Sequence, residues 1–120
     1  MTEIYDEAVL AVMAEAMADD DWMIIGEIVQ VFLEETPGLV QQLRTSFDSA
    51  DNEVLSRSAH TIKSSCANVG AMRLSEQCAD IENSLRGGDI VPPEAILVAE
   101  ATWTATEQAL RSAVAAKVAA

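Results

Sequence analysis

Residues 51–70 read DNEVLSRSAHTIKSSCANVG. Within them Leu55, Ala59, Ile62, Cys66 and Val69 recur at spacings of 4, 3, 4 and 3, the period of one buried stripe along an α-helix. Asp51 or Asn52 offers a side-chain oxygen to the free N–H groups of a first turn, and Gly70 suits the left-handed backbone on which many helices end. The stretch is therefore a helix from about residue 51 or 52 to Gly70. At about 100° per residue, His60 falls roughly 140° from the centre of the stripe. The only histidine of the chain is expected to stand in solvent.

Working outward, the same period recurs and no stretch alternates as a strand would. A short helix is expected over about 6–17, with Val9, Leu10, Met13 and Met17 on one face. The acids Asp19, Asp20 and Asp21 suit a helix start, because they complement the positive end of the dipole. From there Ile25, Ile28, Phe32, Leu39, Leu43 and Phe47 keep helical spacing to about residue 47. Pro37 lies inside that run, so a kink or short break is expected near Glu35 and Thr36. A further helix over about 72–86 carries Leu74, Cys78, Ile81 and Leu85, and ends at Gly87 and Gly88. Pro92 and Pro93 open a last helix with Ile96, Ala99, Trp103, Leu110 and Val114 inward, fraying in the alanine-rich tail. Four long helices on short loops imply an all-α, antiparallel up-down four-helix bundle, with a short additional N-terminal helix as a lid.

The chain has 120 residues, 50% of them apolar, enough for the core of one domain spanning 1–120 and too many for a disordered segment. A net charge of −13 disfavours nucleic acid and anionic membrane as partners, since both need a basic footprint. No apolar run approaches the roughly 20 residues of a membrane span. The first 20 residues carry six acids and no base, the reverse of a signal peptide. A cytoplasmic protein is expected. Cys66 and Cys78 fall on inward faces and read as reduced core thiols, and Trp22 and Trp103 read as packing groups.

Charge is unevenly distributed. Residues 1–43 hold ten acids and no Lys or Arg, whereas Arg57, Lys63 and Arg73 cluster around His60. On the helix surface His60 has Ser56 and Arg57 one turn before it, and Lys63, Ser64 and Ala67 after it. Most of these side chains are short, so another protein surface can approach the ring. A neutral imidazole is a competent nucleophile near pH 7. Lys63 favours the neutral ring by like-charge repulsion and would offset charge on a transferred group. The pattern suits phosphoryl transfer. Glu82 follows Ile81 at the flank of its stripe, where it either stands in solvent or reaches across to Lys63 and the imidazole.

The stretch AHTIKSSCANVGAMRLSEQCADIE, residues 59–82, closely resembles the signature of histidine-containing phosphotransfer (HPt) domains: Ala-His-Thr-Leu-Lys-Gly, small residues, Leu-Gly-Ala, then Leu, Cys and Leu-Glu. The resemblance extends to FLEETPGLVQQL, residues 32–43, where the family also tends to place a proline. It implies a monomeric helical bundle that takes a phosphoryl group from a receiver-domain aspartate and passes it to another, in two-component phosphorelays. Partners would be receiver domains of response regulators and of hybrid sensor histidine kinases. It further implies that His60 is phosphorylated, that Lys63 is the supporting cation, and that any magnesium ion belongs to the receiver, leaving no cofactor on this chain. The receiver would dock around His60, on Ser56, Arg57, Ser64, Ala67 and Arg73. Ser64 stands where the family usually has glycine, and as the smallest polar replacement it keeps the approach open while bearing on partner choice or rate.

Other chemistries lack their residues. A Glu-x-x-His metal motif would need glutamate where Arg57 stands, and no paired Cys/His ligands occur. A serine or cysteine nucleophile would need an imidazole base in a pocket. Without a glycine-rich phosphate loop there is no basis for nucleotide binding or autokinase activity; since the resemblance implies chemistry shared with a receiver, the chain is expected to be a phosphocarrier and not an enzyme. The remaining alternative is a phosphate-independent acidic helical adaptor.

Overall fold

The computed structural model describes residues 2–118, and every regular element among them is helical: α1 Glu7–Ala16, α2 Met23–Asp48, α3 Asn52–Val69, α4 Met72–Arg86 and α5 Pro93–Val118. Helices α2 to α5 form an antiparallel bundle in which α3 packs between α2 and α4, and α5 closes the ring against α4 and α2. Short α1 lies across α2 and α3. No helix among the described residues is long and apolar enough to cross a membrane.

The site-bearing helix forms for the reasons its sequence suggests. The Asp51 side chain accepts from Val54 N at 3.2 Å, and Gly70 takes φ 83° and closes the other end. Leu55, Ala59, Ile62, Cys66 and Val69 are all buried. Only Gly70 and Ala71 separate α3 from α4, so the two helices have to run antiparallel as neighbours. The N-terminal segment straps this turn: Asp6 N donates to Gly70 O at 2.8 Å, and Arg73 Nε donates to Thr2 O at 2.7 Å.

The acid run stands at the start of α2, as expected, and caps it from just outside the first turn. Asp19 is buried and its Oδ2 accepts from Ile25 N at 2.8 Å, while Asp21 Oδ1 accepts from Met23 N at 3.3 Å, satisfying donors that the first turn leaves free. Pro37 does not break α2, which is helical throughout Met23–Asp48. Phe32, Leu33, Thr36 and Val40 are buried around it while Pro37 itself is exposed, so packing on one side outweighs one lost backbone bond on the other. Met17 lies beyond α1 as its C-cap residue and is 40% exposed, because Leu10 and Ala14 already fill the buried face. Helix α5 persists to Val118; the last two alanines of the tail lie outside the described residues.

Between α2 and α5, Arg44 Nη2 and Nε donate to the two Glu100 oxygens at 2.6 and 3.1 Å. That fork holds the Glu100 carboxyl below the ordinary carboxylate range, against the opposing effect of its partial burial. Phe32 and Trp103 meet edge to face with centroids 5.7 Å apart, joining the same two helices.

Two outcomes follow from these contacts. A Cβ on Gly70 would stand 2.7 Å from Asp6 O with φ still positive, so Gly70→Ala should lower stability by about 2 kcal/mol or more, read from urea unfolding. Because the folded Glu100 carboxyl is depressed, its pairing contributes fully above the unfolded value and is lost as pH falls through the folded one. Thermal stability of the wild type should therefore hold through neutral pH and fall in acid, and Glu100→Gln should flatten part of that fall.

Candidate functional site

His60 lies as many residues before Gly70 as Glu82 lies after Met72, so an antiparallel α3–α4 pair brings the two face to face. The register is tied locally by Ser75 Oγ, which donates to Lys63 O at 2.9 Å. On the surface so formed the His60 side chain is 58% exposed and that of Glu82 only 8%. Glu82 is thus not a solvated flank residue, the first of the two placements its sequence position allows. Its Oε1 accepts from Lys63 Nζ at 2.6 Å, its Oε2 lies 2.8 Å from His60 Nδ1, and Arg86 Nη2 stands 3.5 Å from the same Oε2.

These contacts decide a proton position. The Lys63 ammonium holds the Glu82 carboxyl below its ordinary range, burial opposes that, and the contact with His60 adds to the lowering. The carboxylate is therefore ionised near neutral pH and can only accept. Against an acceptor at 2.8 Å the imidazole has to donate from Nδ1. In the neutral ring the lone pair then resides on Nε2, the nitrogen farther from the backbone. This is the arrangement in which a buried carboxylate fixes a histidine's tautomer and ring orientation.

The residues expected around the ring divide into two groups. Arg57, Ser64 and Ala67 are exposed and Ser56 half-buried on the His60 face of α3, and Arg57 reaches Glu53 only at 4.0 Å. Arg73 is not brought to this patch. It precedes Glu82 by nine residues, which turns it to the far side of α4, and its guanidinium is engaged by the N-terminal segment. Arg86 was missed by the reading of spacings around His60 alone. The signal that marks it is its position four residues after Glu82, one turn along the same helix face.

Elsewhere the chemistry is quiet. Cys66 and Cys78 are fully buried free thiols; burial pushes the Cys78 thiol up to about 12 and raises that of Cys66 as well, which suppresses the reactive thiolate. Among the described residues no group of three or more His, Cys, Asp or Glu is arranged to hold a metal ion.

Comparison with known proteins bears on the fold and the family. The family model described as the Hpt domain matches residues 27–117. Among solved structures, the crystal structure of histidine-containing phosphotransfer protein B (HptB) from Pseudomonas aeruginosa PAO1 superposes with a TM-score of 0.82 at 23% identity, covering 95% of this chain and 96% of that one. No curated protein sequence matches the chain. With a solvent-facing histidine on a helical bundle of that shape, and a family match over most of its length, the chain belongs to the Hpt domain family, the histidine-containing phosphotransfer intermediates of phosphorelays.

Proposed function

We propose that His60 Nε2 carries the phosphoryl group, received from a receiver-domain aspartate and passed to another. The observation that supports this most directly is the 2.8 Å contact from Nδ1 to a buried, ionised Glu82. The Nε2 lone pair attacks phosphorus in line, the bond from phosphorus to the aspartyl oxygen breaks, and aspartate leaves as a carboxylate. No proton has to be moved. The ring gains positive character while Nδ1 keeps its hydrogen, and Glu82 stabilises that charge, acting as a positioning residue. Lys63 secures Glu82 and adds positive field beside the incoming group. Delivery runs through the same geometry in reverse.

The receiver would approach over the short side chains Ser56, Ser64 and Ala67. Beyond Ser64, Ser65 and Asn68 border a shallow groove between α3 and α2 where Ile28, Val31 and Leu39 contribute apolar surface, and Val31 is 51% exposed. That groove adds area for a receiver helix next to the ring. In this reading the magnesium ion belongs to the receiver's acidic site, this chain has no autokinase activity, and it works as a monomer in the cytoplasm, where the receivers of response regulators and hybrid sensor histidine kinases would reach it.

Transfer from a radiolabelled phosphorylated receiver tests the assignment. Wild type should take up acid-labile, alkali-stable label and His60→Gln none. Glu82→Gln, with the tautomer no longer imposed by a charge, should slow uptake by about ten- to a hundredfold while remaining folded. A His60→Gln variant that keeps its partner's output in cells would instead support the phosphate-independent adaptor.

A further inference from the structure

Glu82 Oε2 is shared by two donors of unequal grip, His60 Nδ1 at 2.8 Å and Arg86 Nη2 at 3.5 Å. The second cation of the site is differently placed: Lys63 is 31% exposed and 2.6 Å from Oε1, so it is committed to Glu82. Arg86 is 70% exposed, and its other polar contact, Nη1 to Asn83 Oδ1, is also 3.5 Å long. Arg86 lies four residues past Glu82, and the register that sets Glu82 against His60 sets Arg86 against the short side chain of Ser56, one turn before His60.

Resting on the assignment of His60 as the phosphorylated residue, we infer that Arg86 is a phosphoryl clamp: when Nε2 is phosphorylated, the guanidinium leaves Glu82 and pairs with the phosphoryl oxygens. Before transfer, the one negative charge of Glu82 faces two cations. Afterwards a group with roughly −1.5 to −2 charge stands on the ring and the balance reverses. A planar fork with several free donors matches phosphoryl oxygens two at a time, which an ammonium cannot do. The same movement leaves Oε2 wholly to Nδ1 when the ring most needs a counter-charge. Lys63 holds the positioning carboxylate, and Arg86 holds the cargo.

The test uses phosphoramidate as a small phosphoryl donor on the ¹⁵N-labelled full chain, with Arg86→Ala, Arg86→Lys and His60→Gln alongside. A bound cation favours the phosphoryl dianion, so the second ionisation of the phosphohistidine, followed by ³¹P NMR, should move up by about half a pH unit or more in Arg86→Ala. Arg86→Lys should recover only part of that shift. In the wild type the Arg86 Nε–H resonance should move downfield on phosphorylation, and His60→Gln should show neither the phosphorus–nitrogen signal nor the movement. Identical ³¹P titrations for wild type and Arg86→Ala, both labelled on His60, would overturn the clamp and leave the carrier intact. Absence of any phosphorus–nitrogen signal on folded wild type would overturn the carrier assignment and the clamp together.

Discussion

A carboxylate withdrawn from water has to be paired, and Glu82 is paired from the neighbouring helix. Its two oxygens accept from Lys63 and His60 on α3, so α3 and α4 are held to one register. A slip of one residue would swing Glu82 by about 100°, leaving the ammonium unpaired and the imidazole free to take either tautomer. The apolar stripes resist that slip without specifying it; Ile62, Cys66, Leu74, Cys78 and Ile81 are all buried between the helices of the bundle. What specifies it is polar and short: the Gly70–Ala71 turn, the Ser75 hydroxyl on Lys63 O, and the carboxylate itself.

The division between an inert interior and an open surface around His60 follows from this. Both thiols are buried and suppressed, whereas the imidazole is exposed and held at one nitrogen only. Mounting the ring near the middle of α3, with α2 on one side and α4 on the other, places it on rigid elements and leaves one face open. If His60 carries the phosphoryl group as proposed, no pocket is needed around Nε2, because the docking partner would supply the rest of the site. Continuity of α2 through Pro37 belongs to the same economy of parts, since a break there would loosen the wall on which α3 rests.

Local rules were reliable where both ends of an element depended on local backbone. Asp51, Gly70, Met72 and the Gly87–Gly88 pair mark helix ends because capping and left-handed backbone are decided within a few residues. They were unreliable where tertiary packing competed. Pro37 costs one backbone bond, and the buried residues around it outweigh that; Asp19 marks a helix start in the sequence, but its burial as a cap on Ile25 N is set by packing. Glu82 and Arg73 show the same limit on α4. Each sits on a flank, and the flank that meets α3 is set by which helices are neighbours, a fact absent from the period of the stripe.

From its sequence alone this chain determined a set of amphipathic helices, the face each one buries, and a lone histidine directed to solvent, because a 3.6-residue period converts spacing into direction. The HPt signature was legible for the same reason, being contiguous from Ala59 to Glu82. Only the tertiary structure decided which imidazole nitrogen is free and which cation, Lys63, is committed to Glu82. Those depend on contacts between residues 19 and 22 positions apart, and a hydrogen bond of 2.8 Å exists or fails on a fraction of a helical turn that no one-dimensional pattern records.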